Sequence, residues 1–484
     1  MSDPAPPAPP ARLRRLAAPA LVAGLLLVGF GAGLRGDRIP VSSGLGYDGR
    51  ESYVHQATRF FAAARRLPRW RLQRCLPGLV VFLGATVAGA QPLDDAGVVL
   101  GFALLNLALL ALGLVLWQGV LDALRLSERA RWLAWGGLFL SFAGLKMPFY
   151  APVLTDTAGL VLTIGALLAF LRRARVALAL VLLLAAFTWP PLAWSGAVLL
   201  VLPRRDGEHA PASRPAGVAL ALLVAAAATA AALRGAVLVD SPAHLSTGAL
   251  AVHLPTLPLS LACLGGYLAL VGKRLLGECP LATPAALRAQ LSLPELLLVP
   301  AALLGLQLLL RALPLAPGPG LVDALVLSPG SSLVHGVRLP LVFLVAHVVY
   351  FGPVVLVAAA YFGGVCAAAW SLGLGLTIYV WFGLVTGVNS ESRHLLHVWP
   401  VVVALTAMAV ERRGIGWPVL GLVLAVGAAS SQLWLPMGHP GALSHYLRLH
   451  GPWMDPGTYA VGGLAAVALL GVVLWQAPRG APAE

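Results

Sequence analysis

AGVVLGFALLNLALLALGLVLWQGVL, residues 96 to 121, runs for 26 residues without a formal charge. At about 1.5 Å rise per residue such a helix exceeds the roughly 30 Å hydrocarbon core of a bilayer, so it is long enough to cross with tilt. Similar runs recur. Ala17 to Leu34 is uncharged, Thr157 to Leu171 is uncharged, and Leu339 to Ser390 holds 52 residues with no Asp, Glu, Lys or Arg. Hydrophobic residues make up 59% of the 484, charged residues only 11%, and the mean hydropathy is +0.86. The expected fold class is therefore all-α: a polytopic integral membrane helical bundle of about 12 to 14 segments.

The basic residues set its orientation. Thirty-three Lys and Arg against 19 Asp and Glu give a net charge of +14, and the excess clusters in short stretches beside apolar runs. There it follows the positive-inside rule and meets anionic headgroups, so nucleic acid is not needed to explain it. Only Lys146 and Lys273 are lysines, which leaves no lysine-rich tail for DNA. Arg12, Arg14 and Arg15 before the first run place the N-terminus in the cytoplasm. Residues 1–16 read as a disordered Pro-rich cytoplasmic end, 17–476 as one polytopic membrane domain, and 477–484 as a cytoplasmic tail. Cys75, Cys263, Cys279 and Cys366 are scattered with no metal-ligand spacing, so no zinc site or disulfide framework is expected.

On this topology residues 35–95 form an outer-face loop. Tyr53, Val54, Ala57, Phe60, Phe61 and Ala64 fall on one face of a helix that Pro68 would stop, an interfacial helix with Arg59, Arg65, Arg66 and Arg69 toward lipid headgroups. Leu76 to Ala90 is short and interrupted by Pro77 and glycines, and reads as a second interfacial or re-entrant piece. TWPP, residues 188–191, breaks Val176 to Pro203 into a helical hairpin or kinks one long span. The late outer loop, 434–457, carries Trp434, His439, His445, Tyr446, His450 and Trp453, which suit an aromatic belt better than a metal site.

Charge on the outer side gathers at Asp48 with Glu51, Lys146 with Asp156, and Glu391 with Arg393. A carboxylate near the membrane surface can act as a general base, and a cation there can bind a lipid phosphate. Each also has a plain structural reading. Asp48-x-x-Glu51 before an amphipathic run is close to a capping box. Asp156 suits an N-cap, Lys146 can snorkel to the interface, and Glu391 with Arg393 can be a loop ion pair.

GYDGRESYVHQA (46–57) after the first span resembles the first outer loop of polytopic glycosyltransferases of the GT-C fold, whose bacterial members carry a Y-D-G-x-x-Y-type stretch. MPFYAPVLTDTAGLVLTIGALLAFLRR (147–173) resembles their second outer-loop acidic site and the span after it. YFGPVVLVAAA (350–360) and ESRHLLHVWP (391–400) resemble their C-terminal half. The likeness rests on the joint order of short motifs over most of the chain. It implies transfer of a sugar from a polyprenyl-phosphate-linked donor to a lipid, glycan or protein acceptor on the outer, periplasmic face of a bacterial inner membrane, commonly with inversion. Asp48 is then the general base and Asp156 orients acceptor or donor. Arg393, with Lys146 and His394, neutralises the departing phosphate, and Glu51, Tyr47 and His55 complete the substrate contacts. The resemblance fixes no cofactor; it leaves a divalent cation open, and the spacing of Asp48 and Glu51, three apart where relatives often pair Asp and Glu, counts against one. TWPP stands where they often have an arginine–glutamate pair. The competing class is a secondary transporter or lipid flippase, built from many spans with helices broken near the midplane.

Overall fold

The computed structural model describes residues 11–46, 49–63, 67, 69–204, 215–238, 253–276, 291–312, 332–449 and 451–476. Among these every regular element is helical. The chain enters through α1 (Ala11–Leu34) and reaches a π-helical turn at Gly49–Tyr53, followed by α2 (Val54–Ala63), α3 (Arg69–Leu72) and α4 (Leu76–Val87). The opening 26-residue stretch lies within α5 (Asp95–Ala123), where the Asp94 carboxylate caps the N-terminus by accepting from the Gly97 amide at 2.7 Å. Next come α6 (Glu128–Phe139), a π turn at Phe142–Lys146, the short α7 (Met147–Tyr150) and α8 (Asp156–Leu171). Two pairs follow, α9 (Arg175–Ala186) with α10 (Pro190–Val201), and α11 (Pro215–Leu238) with α12 (Leu257–Leu276). After α13 (Leu293–Ala312), the C-terminal half runs through α14 (Val342–Phe351), α15 (Val354–Ala360), α16 (Phe362–Leu372) and α17 (Leu374–Thr386). A 3-10 turn at Ser392–His397 then leads into α18 (Trp399–Arg413), α19 (Trp417–Ser430), α20 (Ala442–Leu449) and α21 (Pro456–Gln476).

Three helices form the centre. α6, α8 and α18 are buried along most of their lengths, with Trp135 and Phe139, Leu160 and Ile164, and Val401 and Leu405 interdigitating in one continuous core. Burial on all sides explains why the inner parts of these segments, beyond the exposed charges Glu128 and Arg129 of α6 and Glu411 to Arg413 of α18, are apolar all round rather than amphipathic.

The outside is apolar as well. Leu16–Leu34, α5, α12 and α21 are each long and apolar enough to cross a membrane, and α15 with α16 counts as a fifth span if the pair, bent by 84° at Tyr361, is taken as one. In α21 only 6% of the apolar window is buried, leaving Val461, Leu464, Val467 and Trp475 on the surface. At roughly 25 cal/mol per Å² such a surface is costly in water and free of that cost in lipid. An all-α chain with long outward-facing apolar helices fits an integral membrane protein. Shorter apolar helices, 10–17 residues each, accompany them.

Several segments take a form that composition alone leaves open. α4 has 12 residues, about 18 Å, which falls short of the bilayer core; it packs on α2 and α5. TWPP makes a hairpin rather than one kinked rod: α9 and α10 lie side by side, and Leu182 sits so close to Gly196 that a β-carbon there would meet it at 2.5 Å. The expected single face of α2 is split. Tyr53 and Ala57 are buried against α5, but Phe61 is 70% exposed, because the helix is kinked at Arg59, whose φ of −146° is not helical. Residues 1–10 and 477–484 lie outside the described residues, as do Arg65 and Arg66.

Candidate functional site

The site is assembled from the ends of helices rather than from one loop. Asp156 opens α8 and is 6% exposed. It is not the N-cap: Thr155 holds that position, and the Thr155 side chain makes no capping bond. As the first helical residue, the Asp156 carboxylate still lies in the favourable field of the helix N-terminus. Its Oδ1 is buried and, among the described residues, has no hydrogen-bond partner. Native proteins leave few such atoms, and an orphaned acceptor requires an explanation. Beside it is a cavity of about 10 Å³ lined by Ala143, Met147, Pro148, Leu154 and Leu396, among others; that is about enough room for one water.

A buried asparagine fixes the loop that carries Asp156. Asn106, at the middle of α5, donates to the Pro148 carbonyl at 2.8 Å and to the Pro152 carbonyl at 2.9 Å. One buried amide in a largely apolar span satisfies both carbonyls and sets the path of MPFYAP.

The charges of two arginines act on Asp156. The 3-10 turn Ser392–His397 packs on α8, and the fields of Arg393 and Glu391 both act on the Asp156 carboxylate. Arg393 Nε is paired with Glu391 Oε1. Asn389 organises this turn: its Oδ1 accepts from the Glu391 amide at 2.9 Å, and its Nδ2 lies 2.8 Å from His394 Nδ1. His394 Nε2 stands 3.8 Å from Glu391 Oε2. The second is Arg74, whose guanidinium lies over the Trp189 ring at 5.4 Å and whose field also acts on Asp156. Trp189, from the TWPP break, packs against Gly159 one turn below Asp156; a β-carbon at Gly159 would come within 2.9 Å of the ring. Tyr350 and Tyr446 feel the charges of Asp156, Arg393 and Glu391. Burial pushes the Tyr446 phenol well above its ordinary range, so it stays a neutral hydroxyl.

The first loop touches this region through its backbone. Gly49 lies so close to Val153 that a β-carbon would meet Val153 Cγ2 at 3.0 Å, which brings the loop beside the segment leading to Asp156. Tyr47 and Asp48 lie outside the described residues, and so does the side chain of Glu51. Gly49–Tyr53 forms a π-helical turn, held by Ser52 to Arg71 and by Gln56 Nε2 donating to the Arg71 carbonyl at 3.2 Å. His55 is exposed and is not in the group around Asp156.

Lys146 has a different setting from the phosphate ligand expected of it. It is 3% exposed, ion-paired with Asp37, and donates to the Leu435 carbonyl at 2.8 Å. Asp37 in turn accepts from the Met437 amide at 2.6 Å. This buried pair pins the end of α1, the π turn before α7 and the loop after α19 to one another. Asp37 drew no notice in the sequence, because nothing local links it to a lysine 109 positions away. Arg74 and Trp189 escaped for the same reason, their meeting depending on how α4 and α10 approach. Asn106 left a signal, as one of two amides, with Gln118, in an uncharged span.

Among the described residues no three His, Cys, Asp or Glu side chains are placed to hold a metal ion. No family model matches the chain, and neither the curated proteins nor the solved structures yield a match.

Proposed function

We propose that the chain is a membrane glycosyltransferase of the GT-C type that moves a sugar from a polyprenyl-phosphate-linked donor to an acceptor hydroxyl, on the side of the membrane where Asp156 lies. The observation that supports this is a buried carboxylate, one of whose oxygens has no hydrogen-bond partner among the described residues, on which the charges of two arginines, Arg393 and Arg74, bear.

The chemistry needs few groups. A carboxylate takes the acceptor proton as the acceptor oxygen attacks the anomeric carbon, and the bond from that carbon to the phosphate oxygen breaks. Its electron pair goes to the phosphate, whose growing charge is met by fixed guanidiniums that need no reorganisation. Asp48 is assigned as the base and Asp156 as the group that orients acceptor or donor. Arg393 and Arg74 are the phosphate ligands, and Glu391, Asn389 and His394 position Arg393. Lys146, committed to Asp37, serves as scaffold.

The test is transfer of labelled sugar from a polyprenyl-phosphate donor by purified protein. Arg393→Gln should lower turnover by about a hundredfold or more, the usual cost of losing one charge-stabilising donor. Equal turnover in wild type and Asp48→Asn removes Asp48 as base, and no transfer with any donor sinks the enzyme reading. The 84° break between α15 and α16 favours a second reading, a transporter or flippase with a discontinuous helix. Substrate flux across proteoliposomes without sugar transfer would establish that reading instead.

A further inference from the structure

The charge-free run Leu339 to Ser390 contains one histidine, His347 of α14, and it is 5% exposed. An ionisable side chain is costly to bury in so apolar a stretch, and within membrane segments such residues mark functional sites. Phe343 and Phe351, one turn to either side on α14, flank the ring with centroids 6.3 and 6.2 Å away. Both ring nitrogens are engaged.

Nε2 lies 2.7 Å from the Gly387 carbonyl, and Nδ1 lies 2.8 Å from Ser392 Oγ. A carbonyl only accepts, so Nε2 carries the hydrogen, and Nδ1 of the neutral ring accepts from the Ser392 hydroxyl. The two partners bound one short segment. Gly387 caps the end of α17 and Ser392 opens the 3-10 turn, so a single imidazole ties together the two ends of residues 387–392. Gly387 also lies against that turn, since a β-carbon there would stand 2.8 Å from the Leu395 side chain. Arg393 follows Ser392 directly. The turn packs on α8, and the charge of Arg393 bears on Asp156 at the head of that helix. The bond to Ser392 therefore fixes the backbone one residue before Arg393.

We infer that His347 is a positioning residue for the transfer: through Ser392 and Gly387 it holds the turn so that Arg393 keeps its place relative to Asp156. The role rests on the glycosyltransferase reading of that site. His347 acts on the reaction through the turn and not by contact with the reacting atoms, so its loss should slow turnover without weakening donor binding.

The experiment measures kcat and the donor KM for the full chain in nanodiscs, comparing wild type, Ser392→Ala and His347→Phe, each with and without Arg393→Gln. Ser392→Ala removes one hydroxyl and leaves the ring in place, so it remains decisive if His347→Phe does not fold. Misplacing a group that stabilises the transition state lowers kcat, so a fall of about tenfold in Ser392→Ala and of about tenfold to a hundredfold in His347→Phe is expected, with KM within about twofold. In the Arg393→Gln background neither change should lower kcat by more than about twofold, because both act through the arginine. Unchanged kcat in Ser392→Ala, a rise in KM alone, or the same loss of kcat with and without Arg393 overturns the role, the last being what a general weakening of the fold produces. No transfer by wild type overturns the glycosyltransferase reading itself, and the positioning role falls with it.

Discussion

Breaking the pair of Asp37 and Lys146 should destabilise the protein, and more when the aspartate is lost than when the lysine is. The order follows from the surroundings. Lys146 has a side chain 3% exposed; without Asp37 its ammonium keeps only the Leu435 carbonyl and the Tyr150 ring, whose centroid is 5.9 Å away. Asp37 is 14% exposed and without Lys146 still accepts from the Met437 amide while touching solvent. Removing one partner of a buried pair costs about 3–5 kcal/mol because the other charge is left uncompensated. Asp37→Ala should fall in that range, and Lys146→Met nearer about 2 kcal/mol, since the orphaned carboxylate is partly hydrated. The double variant should recover part of the loss, giving a coupling of about 1–3 kcal/mol. Reversible SDS-induced unfolding in mixed micelles measures all three free energies. If Lys146→Met leaves stability unchanged while abolishing sugar transfer, Lys146 is a substrate ligand and the scaffold reading is wrong.

Three further outcomes can be checked on the same preparation. His397, between α17 and α18 and 3% exposed, donates through Nδ1 to the His394 carbonyl at 2.7 Å, and burial pushes its imidazole down to about 4. The unfolded chain, with an ordinary value near 6.5, binds the extra proton between about pH 6.5 and 4, so stability falls as pH drops through that window. The wild-type slope there should exceed that of His397→Gln by up to about 1.4 kcal/mol per pH unit; identical slopes refute the assignment. Asp455 accepts from the Gly457 and Thr458 amides at 2.9 and 3.0 Å at the start of α21, so Asp455→Ala should cost about 1 kcal/mol and speed amide exchange in the first turn of that helix. Gly159→Val should cost about 1–3 kcal/mol and change the fluorescence of Trp189, because the added carbons meet the indole that carries Arg74.

Much of this protein is set by composition. A 26-residue uncharged run leaves a chain no stable state in water except buried or in lipid, and backbone polarity inside lipid leaves helix as the local answer. Helix and membrane therefore followed from residues 96–121 and their like, and arginine clusters at the ends of apolar runs indicated where those runs stop. The acidic residue at the head of α8 was visible as well, since Asp156 is a lone charge between two apolar segments. Its environment was not. Sequence spacing informs on neighbours three or four positions away along a helix, whereas the charges of Arg74 and Arg393 bear on Asp156, and Trp189 packs on Gly159, through the way distant segments come together at the head of α8. The same limit hid Asp37 from Lys146, and so a lysine that looked available for a phosphate is instead held inside the fold. Local chemistry chose helices and a lipid solvent; which charges neutralise one another, and which are left facing a cavity, was decided by the tertiary packing that brings distant helix ends together.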